Sequence, residues 1–353
     1  MRIKSIGAFA CRPDTPMREI LARFNDLSHP LHVVLDGGGR LVGTLTDGDI
    51  RRALLKGATL DDPVSVAVHK DAIVGRVGDA GVAALLRSVP FLPVLNKDDV
   101  VVEILVGQRG ASTIATALVM AGGLGERLGS RTQSVPKPLL PVGGKPILEH
   151  IIARLEDINV GDIFVSAHYL ADKIESYIAD RNSRSNIRVI RESERLGTAG
   201  AVAAIPANGD TPLLVINGDV LTQTDFVAMA EFHHLHDYDA TLAVARYDVE
   251  VPFGVVRSDE QGLFMGIDEK PAYHHFVAAG IYYLAPQIRA LASPNKPIDM
   301  PELLNLGRSI GLRIGLFPIH EYWIDVGRPH DLDAAERDHA ADRATPLAKK
   351  VTS

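Results

Sequence analysis

At 353 residues, with 46% hydrophobic and 23% charged residues, the chain has an ordinary globular composition and length enough for two or three domains. A net charge of −7 argues against general nucleic-acid binding, and the charge is unevenly spread. Residues 1–111 hold 14 Lys+Arg against 13 Asp+Glu (+1), which leaves 23 against 31 (−8) for the rest.

The single cysteine, Cys11, excludes an intrachain disulfide and a cysteine-based metal cage. Met1–Ala10 lacks the long apolar core of a signal peptide, and no apolar run approaches a membrane span. A cytoplasmic protein with no membrane or nucleic-acid partner is expected.

In chain order, strands at Leu31–Leu35 and Leu41–Leu45 flank a glycine turn at Asp36–Gly39, and a helix follows at Asp49–Lys56. A weaker echo comes next: helix Ala80–Arg87, strand Phe91–Leu95, a turn at Asn96–Asp99 and strand Val100–Val106. These are two copies of one small unit, at about 1–57 and 58–108, with the second degenerate. Gln108–Ser112 reads as a linker.

From Thr113 an α/β rhythm sets in. Ile114–Met120 is a near-continuous apolar strand of the kind buried on both faces of a parallel sheet. Helix Lys145–Ile158, strand Asp162–Ser166, helix Asp172–Ala179, strand Ile187–Ile190, a helix after Gly197 and strand Leu213–Asn217 follow. A helix at Phe226–Asp237 comes next, and strands at Thr241–Arg246, Phe253–Arg257 and Phe276–Leu284 suggest a mixed extension. A charged closing helix covers Asp331–Asp338, and residues 341–353 read as a polar tail.

The stretch MAGGLGERLGSRTQSVPKPLLPVGGKP, from Met120 to Pro146, is rich in glycine. A dinucleotide fingerprint needs G-x-G-x-x-G, but Gly123, Gly125 and Gly129 give G-x-G-x-x-x-G. A Walker loop needs Ser or Thr after Gly-Lys, and here Gly144-Lys145 is followed by Pro146. What remains is a loop whose amides can cradle an anion, with Arg127, Lys137 and Lys145 as point charges. Pro136, Pro138 and Pro141 stiffen its return path.

Gly122-Gly123-Leu124-Gly125-Glu126-Arg127-Leu128, with Pro136-Lys137-Pro138-Leu139-Leu140-Pro141, resembles the signature of sugar-1-phosphate nucleotidyltransferases. Leu196-Gly197-Thr198-Ala199-Gly200, Asn217-Gly218-Asp219, Phe253-Gly254-Val255-Val256, Asp268-Glu269-Lys270-Pro271, Ala279-Gly280-Ile281-Tyr282 and Trp323-Ile324-Asp325-Val326-Gly327 follow in that family's order. The resemblance covers residues 114 to about 336. It implies an α/β, Rossmann-like nucleotidyltransferase fold with a mixed, mostly parallel sheet over residues 112–340.

The implied reaction is attack of a sugar phosphate oxygen on the α-phosphorus of a nucleoside triphosphate, with pyrophosphate leaving. Such chemistry rests on positioning and charge neutralisation. By resemblance Asp219 and Asp325 would hold Mg²⁺. Arg127 and Lys137 would neutralise the phosphates, aided by the amides of Gly122, Gly123 and Gly125. Lys270 would take the sugar's phosphate and Glu269 its hydroxyls, with Gly254 and Gly280 allowing close approach.

The base is expected near Gly197 and Thr198. Relatives using uracil or thymine carry glutamine five residues before this glycine, where the present chain has Glu192. An ionised carboxylate only accepts hydrogen bonds, which suits the adjacent N1–H and N2 amino donors of guanine. The E-x-E-x-L-G-T-A-G run also resembles guanylyltransferases of the mannose-1-phosphate type, so GTP is favoured over UTP, dTTP or CTP. Ala278 stands where relatives often carry a sugar-contacting asparagine, which leaves the sugar open.

Gly43–Leu55 resembles the end of a cystathionine-β-synthase-type (CBS) domain, a small α+β module that occurs in tandem pairs. The resemblance implies an adenine nucleotide at Thr46 and Asp49 as a regulatory ligand. A CBS pair fused to this transferase resembles glucosamine-1-phosphate guanylyltransferases of legionaminic-acid-type sugar biosynthesis. The chain is expected to form homo-oligomers. Competing substrates are mannose or heptose 1-phosphate, and a competing class is an inactive nucleotide-sensing binding protein. His233, His234 and His236 are expected to be surface residues rather than a metal site. His168 and Tyr169 are expected to pack in the core or at a pocket rim.

Overall fold

Strands that are apolar at every position cannot show a face to water, and here they form the middle of one sheet. The computed structural model describes residues 1–27, 30–79, 81–107, 114–206 and 211–344. The chain divides into two units, one within residues 1–111 and the other from residue 112 onward.

The second unit is built on seven strands: β1 Thr116–Met120, β2 Asp162–Ala167, β3 Asn186–Arg191, β4 Leu213–Asn217, β5 Ala240–Glu250, β6 Ala272–Leu284 and β7 Ile314–Ile319. Their order is β3-β2-β1-β4-β6-β5-β7. Only β6 runs against its neighbours, so the sheet is mixed and mostly parallel.

Alternation along each strand fills two apolar layers. Ala117, Val119, Ile163, Val165, Leu214 and Ile216 face one, together with helices Ile147–Asp157, Phe226–Leu235 and Pro329–Ala344. Leu118, Phe164, Leu213 and Val215 face the other, with Met300–Ser309. Strand order reverses between β1 and β4, which opens a crevice at their carboxyl ends, the usual ligand position in such sheets.

Several boundaries differ from expectation. The segment after Gly197 is a 3₁₀ turn, Gly200–Ala204, rather than a full helix. Ile205 precedes Pro206, which disfavours helical backbone there, and it is extended (φ −79°, ψ 126°). The closing helix continues to Ala344, past the expected start of the tail. Residues 345–353 and the linker Gln108–Ser112 lie outside the described residues. Val255–Ser258 pairs with Phe264–Asp268, a strand the sequence does not announce, in a separate ribbon. His233 is buried rather than on the surface. Its Nδ1 lies 2.9 Å from Thr241 Oγ1, and burial lowers its pKa to about 4. Among the described residues no helix is long and apolar enough to cross a membrane.

The first unit carries one connectivity twice. Ala10–Cys11 runs parallel to Leu31–Leu35, which pairs antiparallel with Leu41–Thr46. Gly75–Arg76, Phe91–Leu95 and Val101–Val106 repeat the pattern. A helix links the first two strands of each copy, Met17–Asp26 in one and Val82–Ser88 in the other. The copies interlock, because Arg2–Ile3 pairs with Val101–Val106 of the second. Leu31, Val33, Phe91, Leu95 and Ile104 share one apolar cluster.

Candidate active site

The glycine loop leaves the end of β1 at the crevice. Gly125 has φ +68°, and a Cβ there would lie 2.9 Å from Thr132 and 3.2 Å from Lys137, so only glycine lets the loop fold back on itself. Thr132 Oγ1 donates to the Gly125 carbonyl at 3.0 Å, and buried Leu128 anchors the turn. Lys137 opens a 3₁₀ turn between Pro136 and Pro138.

Asp219 follows β4. Gly218 N donates to Met120 O at 2.8 Å, and a Cβ on Gly218 would fall 2.7 Å from that oxygen, so β4 exits tight against β1. Val220–Thr222 then pairs antiparallel with Trp323–Asp325, setting Val220 opposite Asp325. Val326 N donates to Asp219 O at 3.0 Å, and Trp323 Nε1 donates to Ala279 O on β6 at 2.8 Å. This short ribbon brings together two carboxylates that lie about a hundred residues apart in sequence.

Lys137 Nζ pairs with Asp219 Oδ2 and lies 3.9 Å from Asp325 Oδ1. The Asp325 carboxyl is held above its usual range, first by desolvation and then by the Asp219 and Asp331 carboxylates, while Lys137 and Arg127 oppose the rise. Asp219 Oδ1 is buried without a hydrogen-bond partner. A carboxylate oxygen so placed is poised for a cation. The expected set of Arg127, Lys137, Asp219 and Asp325 is thus brought together. Asp331, whose Oδ2 accepts from Arg328 N at 2.7 Å, is an acid of this cluster that sequence motifs did not indicate.

Glu192 follows directly on β3. Its N–H donates to Ala167 O at 2.8 Å, and its carbonyl accepts from His168 Nδ1 at 3.0 Å. The residue is 8% exposed, and Oε1 has no partner. A Cβ on Gly122 would lie 3.5 Å from Oε2 and 3.6 Å from Oε1, so the carboxylate overlooks the start of the glycine loop. Gly123 beside it is exposed and open. His168 is therefore a neighbour of Glu192, while Tyr169 OH donates to Gln133 O at 3.0 Å on the loop's return path.

Gly197 has φ +77°, and a Cβ there would lie 2.6 Å from Ile298 O. Thr198 is engaged structurally. Its N–H and Oγ1 meet Asp299 Oδ1 at 2.9 and 3.1 Å, and Oγ1 accepts from Met300 N at 2.8 Å. These bonds tie Thr198 to the start of helix Met300–Ser309.

Toward the far side, Gly280 (φ +71°) lets Asn217 press on β6, where a Cβ would lie 2.7 Å from its Nδ2. Gly254 faces Glu269, with Oε2 3.0 Å from where a Cβ would sit. Glu269 and Lys270 are exposed, and Lys270 holds φ +45°, an uncommon conformation for a side-chain-bearing residue. In the first unit Thr46 and Asp49 also meet, as a helix capping box. Asp49 N donates to Thr46 Oγ1 at 3.2 Å, Thr46 N and Oγ1 donate to Asp49 Oδ2 at 2.8 and 2.6 Å, and Arg52 pairs with Oδ1.

A glycine loop and paired acids at the strand-order switch point place the chain among open α/β sheets of the kind that bind ligands at that crevice. The nucleotidyl transferase family profile matches residues 116–342, and the chain belongs to that family. A CBS domain matches residues 3–56. Probable mannose-1-phosphate guanylyltransferase 1 of Oryza sativa is 32% identical over 227 residues, 61% of this chain and 62% of that protein. Bifunctional protein GlmU of Methanocaldococcus jannaschii is 31% identical over 234 residues, 63% of this chain and 53% of that one. The chain thus spans 62% or less of these relatives' length. HddC from Yersinia pseudotuberculosis, solved also with GMP-PN, aligns at TM-score 0.50 with 30% identity, over 64% of this chain and 99% of that chain.

Proposed function

We propose that the chain transfers GMP from GTP to a sugar 1-phosphate and releases pyrophosphate. The observation that carries the guanine choice is Glu192 Oε1, buried and unpartnered beside Gly122. A buried acceptor without a donor is costly, and the N1–H and N2–H groups of guanine supply two. Uracil would set a carbonyl against this carboxylate.

The same logic supports a divalent cation at Asp219 and Asp325, because Asp219 Oδ1 is the second orphaned oxygen of the crevice. Mg²⁺ bound there would withdraw charge from the reacting phosphates. Arg127 and Lys137, with the loop amides, would neutralise the triphosphate and the departing pyrophosphate. Gly254, Glu269, Lys270 and Gly280 line the side from which the sugar phosphate approaches. The relation to mannose-1-phosphate guanylyltransferases and the GMP-PN complex of HddC support guanine use.

The favoured sugar is glucosamine 1-phosphate, with mannose and heptose 1-phosphates as alternatives. An adenine nucleotide on the first unit would have to displace Arg52 from Asp49. A cytoplasmic location suits these substrates. The test is pyrophosphate release across a panel of triphosphates and sugar 1-phosphates. Turnover with GTP supports the proposal, and absence of turnover with every pair favours a nucleotide-sensing protein.

A further inference from the structure

Strands β5 and β6 outrun the sheet they belong to. Residues 240–245 and 279–284 are mostly buried, but 246–250 and 272–276 are exposed at every position. Together with the ribbon Val255–Ser258/Phe264–Asp268 they form an arm whose apolar side chains are not covered. Among the described residues 19 large hydrophobics are exposed, and ten lie between 247 and 276, including Tyr247, Phe253, Leu263, Phe264, Met265 and Tyr273. Their exposure runs from 38% to 72%, which leaves on the order of 1,000 Å² of side-chain surface. That exceeds the few hundred Å² usual for a patch on a monomer and matches the roughly 800 Å² each partner gives to a stable interface.

The arm's two faces differ. Tyr247 lies opposite His275 and Val249 opposite Tyr273, so these four share one face. On the other face Arg246 Nε reaches Asp248 Oδ1 at 2.9 Å, and His274 Nδ1 reaches the same oxygen at 2.7 Å, a polar group that satisfies itself. A face without Asp, Glu, Lys or Arg can lie against a copy of itself without repulsion between such groups. An anionic membrane or nucleic acid is disfavoured, because residues 246–276 carry three Lys+Arg against six Asp+Glu. A lone two-stranded ribbon is also marginal in water, so packing on a partner would support its order.

We infer that a second copy of this chain covers the arm, forming a twofold dimer through the Tyr247–Val249–Tyr273 face and the apolar ribbon beside it. An isologous contact of this kind would set the same apolar face of both copies together. The arm also carries Gly254, Glu269 and Lys270, so dimerisation would steady the side of the crevice assigned above to the sugar phosphate. The interface itself does not depend on that assignment.

Sedimentation velocity of the full chain tests it by mass alone, whatever the enzymatic activity. At about 50 µM the expected particle is twice 38.0 kDa. Two double variants, Tyr247→Ser/Tyr273→Ser and Phe264→Ser/Met265→Ser, should each weaken dimerisation at least about tenfold. Hydrogen exchange of the wild type offers a second readout free of folding artefacts. Amides of 246–276 should slow at least about threefold between 0.5 and 50 µM protein. A wild-type monomer, dimers unaffected by either variant, or exchange independent of concentration would each overturn the inference. Flotation of a monomer with anionic vesicles would do so in favour of a membrane partner.

Discussion

Two orphaned oxygens, Glu192 Oε1 and Asp219 Oδ1, define what the crevice lacks. One calls for neutral donors and the other for a cation, a difference set by their neighbours. Asp219 stands within a cluster of acids and Lys137, whereas the Glu192 carboxylate lies beside Gly122, with His168 bonded to its backbone carbonyl. Asp219→Asn should lower turnover by on the order of 10³-fold while the circular dichroism spectrum stays native. A variant within tenfold of wild type would remove Asp219 from the metal site. Residue types and their order were legible in the sequence here, since Asp219, Asp325 and Glu192 each stand in a short recognisable run. The double engagement of Thr198 was not, because its partner Asp299 lies 101 residues away.

Among the elements, the ribbon Val220–Thr222/Trp323–Asp325 was the least legible part of the site. Three-residue strands are too short to show a period, and their pairing is long-range. Phe264–Asp268 was hidden because Gly266 interrupts its alternation. The long apolar strands, in contrast, lay where their runs indicated.

Helix Ile147–Asp157 is clasped from outside by Arg181, which bonds Glu149 Oε2 at 2.8 Å and Glu156 Oε1 at 2.7 Å. Those bonds, with Ser183 and the Arg184 N–H, outweigh burial and hold the Glu156 pKa down to about 2. A depressed carboxylate pKa stabilises the fold fully above the unfolded value near 4.5, and that stability is lost as pH falls toward 2. Glu156→Gln should cost roughly 1–3 kcal/mol at neutral pH and flatten the decline in melting temperature between pH 4.5 and 2. An unchanged acid profile would show that Glu156 does not set it.

The capping box gives a matching expectation in the first unit. Asp49→Ala should cost about 1 kcal/mol, seen as about fivefold faster exchange of the Asp47–Leu55 amides. Unchanged exchange would mean that the cap contributes little.

At the scale of the whole molecule, composition located the acidic excess in the larger unit, where the carboxylate cluster lies. It could not show that the first half of the smaller unit adds a strand to the sheet of the second, since Arg2–Ile3 is too short to register as one. The apolar arm was equally hidden, because an exposed apolar strand reads like a buried one until its cover is found missing.

Guanine selection through Glu192 is the centre of the functional account. Its most direct test is kcat/KM for GTP and for UTP, with saturating sugar 1-phosphate, in wild type and Glu192→Gln. Wild type should prefer GTP by at least about 100-fold, and the glutamine variant should lose roughly 10- to 100-fold with GTP while UTP holds or improves. A wild-type preference for UTP, or an undiminished GTP preference in the variant, would contradict it.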